Sequence, residues 1–317
     1  MNNYKNITFA NLIKAYREAA AIEYDNTRSP VASTVRNIVQ TLERLLEYCG
    51  IGLGSLVKTL NNEMLSKYVT ARIQGGVRTI SLKTEMQHLN ALFAPWTRPH
   101  YARLLGIEHP VGRAFDVPNI KVPPTRYNPP DGVLVARVKA WYGELTRICE
   151  EEIVSGQRVP DSAMRWMTAT LMLEFAVRNG DALRMKWSNL VERGGRIMLR
   201  YTPHKTSKSS GRVVCWPVNN EILHLFNVIR EKSQSEHMLG DSGSRCLTYV
   251  SREMRRIGFK GTKSAYELRK ICIDHVYQHC GAEMATSISG DDIRTILKYY
   301  ADPSTPNMGD TRIFDLL

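Results

Sequence analysis

The sequence predicts a mainly α protein with a small antiparallel β-sheet, split into a helical N-terminal domain and a mixed α/β C-terminal domain. Three observations carry that expectation. Helical apolar periodicity runs from about Thr8 to Gly106, a proline-punctuated stretch interrupts the chain between Glu108 and Asp131, and one strand-and-turn insert lies within the otherwise helical remainder. A chain of 317 residues is also comfortable as two domains of ordinary size.

In "STVRNIVQTLERLLEYCGI" the residues Val35, Ile38, Val39, Leu42, Leu45 and Leu46 form one apolar stripe at helical spacing. Ser33 or Thr34 is the expected N-cap and Gly50 the stop. A second helix fits "NNEMLSKYVTARIQ", capped by Asn61 or Asn62 and closed by Gly75-Gly76. A third fits "SLKTEMQHLNALFAPW", opened by Ser81. Pro110, Pro118, Pro123, Pro124, Pro129 and Pro130 then mark an extended linker. The expected bounds are a helical domain over 1–107, a linker over 108–131 and a second domain over 132–317.

The second domain opens with helical patterns in "GVLVARVKAWYGELTRICEEE" and "SAMRWMTATLMLEFAVRNGDALRMKWSNL". Next comes "RGGRIMLRYTPHKTSKSSGRVVCWPV", where Gly194-Gly195 and the Ser-rich "TSKSSG" mark two turns between β-favouring segments, giving three antiparallel strands. Helix returns in "AYELRKICIDHVYQHCG".

Forty-three basic residues against 31 acidic ones give a net charge of +12, which favours a polyanionic partner. No run of 18 apolar residues and no apolar signal core occur, so a cytoplasmic, DNA-associated location is expected rather than a membrane. The six cysteines are scattered singly, as reduced thiols are. Cys272, His275 and His279 fall at helical spacings, but structural zinc takes four ligands and no fourth is near, so neither metal nor cofactor is expected.

The positive charge is concentrated. Arg193, Arg196, Arg200, Lys205, Lys208 and Arg212 face no carboxylate between Arg193 and Trp216. Arg252, Arg255, Arg256, Lys260, Lys263 and Lys270 belong to a second cluster, opposed only by Glu253 and Glu267. Such clusters suit phosphate-backbone contacts. Arg178 and Arg269 differ, because they sit in apolar helical contexts where an unpaired guanidinium is expensive. Two arginine forks can hold one phosphate, although Arg178 can also pair with Asp181.

Taken in order, these residues resemble the tyrosine recombinase (phage integrase) family over nearly the whole chain. "FAVRNGDALRMKW" is similar to its first box, with Arg178, Asp181, Met185 and Trp187 in place. "KTSKSSGRVVCWPV" is similar to its lysine hairpin, which makes Lys205 the better match and Lys208 the alternative. "YELRKICIDH" resembles the second box through Leu268, Arg269 and His275, with Tyr266 in place of the leading histidine. "ISGDDIRTILKYYAD" resembles the final segment, with Gly290 where histidine or tryptophan is usual. Ile293 and Thr295 align Tyr299 with the nucleophile, whereas the count of residues from Arg269 prefers Tyr300; the motif gives a weak lean to Tyr299.

The resemblance implies a helical core-binding domain, a linker closing the two domains around DNA, and a catalytic domain. It implies cutting and rejoining at a specific double-stranded site through a 3′-phosphotyrosine. Arg178 and Arg269 would stabilise charge at phosphorus, Lys205 would protonate the 5′-oxygen, and Tyr266 would touch a phosphate oxygen. It further implies a homodimer on each site and a homotetramer in synapsis, with room for accessory DNA-bending proteins; the apolar tail "TRIFDLL" can dock on a neighbouring subunit or pack against its own domain. A regulatory DNA-binding protein with impaired chemistry, and a topoisomerase IB-like or telomere-resolving enzyme, are the alternative readings.

Overall fold

The computed structural model describes residues 4, 6–23, 32–107, 117–122, 131–156, 158–207, 211–261 and 263–300. Lys208, most of the proline-rich stretch and the tail at 311–317 lie outside them. The chain forms two compact units, 1–124 and 125–317.

The first unit is helical: α1 (Phe9–Glu23), α2 (Ala32–Cys49), α3 (Asn62–Gln74), α4 (Thr79–Phe93) and the short α5 (Pro99–Leu104). The stripe of α2 turns inward, with Ile38, Val39, Leu42, Leu45 and Leu46 buried and Val35 packed at their edge. Gly50 ends this helix at φ 66°, a left-handed conformation in which glycine carries no Cβ penalty. Asn61 caps α3 by accepting from the Met64 amide at 2.9 Å. Two expected starts move. Ser33 and Thr34 lie inside α2, and α4 begins at Thr79 rather than Ser81, with no side-chain cap at Arg78. Packing of the apolar face sets these ends.

One carboxylate ties three of the helices together. Glu85 on α4 accepts from Arg72 Nε and Nη2 on α3 (3.1 and 2.5 Å), from Tyr68 Oη on α3 (2.9 Å) and from Arg44 Nη1 on α2 (2.8 Å).

The second unit is built around α7 (Asp161–Leu173), which packs against α6 (Gly132–Ser155), α11 (Gly243–Ile257) and α12 (Tyr266–Ser289). A helix surrounded in this way must be apolar on most sides, and α7 buries Ala163, Met164, Trp166, Met167, Ala169, Leu171 and Met172. Trp166 meets Phe226 of α10 (Asn220–Lys232) edge to face at 5.7 Å and donates its indole N–H to Thr146.

The sheet is antiparallel in the order β1 (Leu190–Arg193), β2 (Arg196–Tyr201), β3 (Val214–Pro217). Gly194 and Gly195, both at positive φ, make the β1–β2 turn and set Arg193 opposite Arg196. The β2–β3 connection is no tight turn; it carries the helical turn α9 (His204–Ser207). Two further short helices, α8 (Asn179–Ala182) and α13 (Ile293–Tyr299), complete the unit, and α12 is kinked at Gly281.

Hydrogen bonds from Arg72 and Tyr68 hold the Glu85 carboxyl below the usual range against the opposing effect of burial. Its stabilisation is therefore present above the ordinary glutamate pKa of about 4.3 and disappears as pH falls through the lower folded value. Glu85→Gln should cost about 2 kcal/mol at neutral pH. Urea unfolding across pH 2 to 7 should also show a shallower acid loss for the variant than for the wild type.

Candidate active site

Arg178 is aimed by the turn that follows α7. Ala176 sits at φ 48°, the one non-glycine residue at positive φ among the described residues, and is fully buried. The Val177 amide donates to Leu171 O at 2.9 Å, closing the turn. Arg178 then lies at the N-cap of α8 rather than inside a helix, its side chain only 14% exposed.

Arg269 comes from the first turn of α12 and is 0% exposed. Burial opposes its charge, but Tyr266, Asp291, Tyr300 and Tyr201 outweigh that effect and keep the guanidinium pKa above its ordinary value.

Asp291 joins the two arginines. Its Oδ2 accepts from Arg269 Nη2 at 2.6 Å and its Oδ1 accepts from Arg178 Nη2. Arg269 Nη2 also donates to Ser289 O at 3.0 Å, and exposed Arg212 donates to Asp291 O at 2.5 Å. The expected Arg178–Asp181 pair is present but longer, at 3.8 Å. Asp181 instead accepts from the His204 amide at 2.9 Å, fastening the β2–β3 connection to the Arg178 loop.

Gly290 makes this arrangement sterically feasible. It ends α12 at φ 65°, and a Cβ there would stand 2.9 Å from Pro203 Cγ and 3.0 Å from Val214 Cγ2. The position where the resemblance places histidine or tryptophan thus has no room for a side chain in this backbone.

Tyr300, and not Tyr299, is buried against Tyr266, beside Arg269. Tyr299 is the last residue of α13 and Tyr300 its C-cap, where the backbone leaves the helix at φ −134°, and the two side chains face different ways. Tyr300 is 3% exposed and its hydroxyl is 2.7 Å from that of Tyr266, whose ring lies 5.9 Å from the Arg269 guanidinium carbon. Tyr299 is 43% exposed, beside Lys298 Nζ at 5.1 Å from its ring centroid. It is Tyr300, the residue that the count from Arg269 prefers, and not Tyr299, favoured by the motif, that is buried beside Tyr266. Burial raises the Tyr300 pKa, and Arg269 is the largest influence pulling it back.

Lys205 is exposed on α9, next to His204 and two residues from Pro203, which both touch this constellation. Of the other basic candidates, Arg193, Arg196 and Arg200 project from the first two strands, and Arg252, Arg255 and Arg256 from α11, all exposed. Lys260 and Lys263 are exposed in the loop before α12, while Lys270 pairs with Glu267 at 2.7 Å. Arg252 and Arg256 share Glu253. Among the described residues no group of side chains has metal-binding geometry, and the rings of His275 and His279 lie 4.1 Å apart, centroid to centroid.

Two residues were not chosen from sequence. Asp291 supplies the counter-charge for both arginines. Tyr201 of β2 is buried with its hydroxyl unpartnered among the described residues, and its only sequence signal is strand alternation.

No protein-family model and no curated protein sequence matches the chain. Solved structures do match it. A lambda integrase tetramer bound to a Holliday junction is 14% identical over 95% of this chain and 77% of that one, at a TM-score of 0.61. XerH site-specific recombinase bound to palindromic difH substrate is 14% identical over 93% and 94%, at 0.58. The Tn1549 transposon integrase in complex with transposon right end DNA is 11% identical over 94% and 96%, at 0.56. The chain has the tyrosine recombinase fold.

Gly290→Ala should destabilise the protein by about 1–3 kcal/mol, from the left-handed backbone and the contact with Pro203. Gly290→His, which restores the family's usual residue, should cost at least as much. Thermal unfolding of the two variants measures both.

Proposed function

We propose that this protein is a site-specific DNA recombinase that cuts and rejoins strands through Tyr300. The observation that carries the reading is the joining of Arg178 and Arg269 through Asp291, with Tyr300 hydrogen-bonded to Tyr266 beside Arg269. It is supported by the recombinase fold and by the exposed arginines of the sheet and α11.

In this reading the Tyr300 oxygen attacks a backbone phosphorus, the bond to the 5′-oxygen breaks, and a 3′-phosphotyrosine forms. The Tyr300 proton passes to water admitted with the DNA, and Lys205 supplies one to the departing 5′-oxygen. Attack by a 5′-hydroxyl of a partner strand reverses these steps, and the covalent link conserves the bond without ATP. Arg178 and Arg269 stabilise the charge that grows on the phosphate oxygens in a site closed to bulk water. Tyr266 holds the nucleophile's hydroxyl, the task that falls to it in place of an imidazole. Double-stranded DNA is the partner, contacted by the exposed arginines. Dimers on each site and a tetramer at the crossover follow the assemblies named for the lambda integrase structures.

The test begins with a duplex selected from a random pool by retention on the protein, then nicked at successive positions. Wild type and Tyr299→Phe should form a denaturant-resistant DNA adduct, and Tyr300→Phe none. Absence of any adduct from wild type would favour a DNA-binding protein that keeps the fold without the chemistry.

Lys205→Ala should slow adduct formation about a hundred- to ten-thousandfold on ordinary DNA. Sulfur in place of the leaving 5′-oxygen departs without protonation and should remove most of that deficit. A deficit that persists on the sulfur substrate would exclude Lys205 as the acid.

A further inference from the structure

We infer that Asp291 stands in for the scissile phosphate: in DNA-free protein its carboxylate occupies the slot between Arg178 and Arg269, and it yields that slot when a phosphodiester arrives. The inference rests on the phosphate-holding role given above to the two arginines.

The bonding pattern is the first support. Each carboxylate oxygen takes one guanidinium, as the two non-bridging oxygens of a phosphodiester would. The carboxylate leaves donors without a hydrogen bond: Arg269 Nε and Nη1 are buried without a hydrogen-bond partner among the described residues, and Arg178 Nη1 has only the long 3.8 Å ion pair to Asp181. A tetrahedral anion offers more acceptor directions than a planar carboxylate, so the slot is only partly filled by its own residue. Exchange of one single negative charge for another also keeps the buried arginines neutralised throughout.

The carrier of the carboxylate is the second support. Asp291 lies in the three-residue link 290–292 between α12 and α13, immediately after the left-handed Gly290. Its amide donates to Ser289 Oγ at 3.1 Å, and its carbonyl accepts from exposed Arg212. The link leads directly into α13, whose C-cap is Tyr300. Withdrawal of Asp291 therefore moves the start of the helix that presents the nucleophile. Asp291 is a positioning residue, which keeps the two arginines spaced for phosphate and couples arrival of DNA to the setting of Tyr300.

Inorganic phosphate is the probe, read by thermal unfolding of the full chain against chloride at matched ionic strength. Asp291→Asn, which keeps the shape and removes the charge, should unfold earlier than wild type in chloride. Phosphate should restore it, with a half-maximal concentration at least tenfold lower than any response of wild type. Adding Arg269→Lys should abolish that response, and Asp291→Glu, which retains the anion, should lack it. Equal phosphate responses in wild type and Asp291→Asn would overturn the inference, as would a response that survives Arg269→Lys. An Asp291→Asn protein that folds in phosphate but not in chloride supports it; one that folds in neither contradicts it. Because this assay contains no DNA, it separates the two readings. A phosphate response without any adduct sinks the recombinase reading alone, and an adduct without a phosphate response sinks the Asp291 reading alone.

Discussion

A guanidinium with no exposure to water must be met by negative charge or the unit around it does not fold as observed. Arg269 imposes that requirement on everything near it. Asp291 meets it, and to reach Arg269 the chain must leave α12 in a left-handed turn at a glycine pressed against Pro203 and Val214. The same carboxylate draws in Arg178, whose approach is set by the tight turn at Ala176. Asp181 then fastens the β2–β3 connection to the Arg178 loop, placing the Lys205 segment beside the arginines. Four separated stretches of sequence are thus gathered by one buried charge.

This arrangement changes what the departures from the family pattern mean. Tyr266, where the resemblance expects a histidine, sets a phenol against the Tyr300 hydroxyl, so the proposed nucleophile keeps a hydrogen-bond partner. Loss of a side chain at position 290 is not simply a missing phosphate contact, because the glycine permits the turn that delivers Asp291. The two substitutions belong to one solution in which the DNA-free site satisfies its own charges.

Much of the architecture was legible because it is local. Apolar spacing marked α2, Asn61 marked the start of α3, and the Gly194-Gly195 pair marked the first hairpin turn. Arg178 and Arg269 stood out as charges in apolar surroundings, which is a thermodynamic anomaly visible in sequence. The starts of α2 and α4 were misplaced by about two residues because tertiary packing, rather than the nearest serine or threonine, decided them. The choice between Tyr299 and Tyr300 was not legible either: it depends on the phase of α13, set by burial of Ile296 one turn earlier together with Tyr300. Asp291 was not picked out because in sequence it is one more acidic residue between two helices. Only three-dimensional placement shows it accepting from both arginines.

The central claim is that Tyr300, under Arg269, is the residue that becomes joined to DNA. Digestion of a trapped protein–DNA complex, nuclease trimming and fragmentation mass spectrometry of the peptide that follows Lys298 would locate the added nucleotide. The account predicts the nucleotide mass on Tyr300, with Tyr299 unmodified. The same mass on Tyr299, or on any residue outside this constellation, would contradict it.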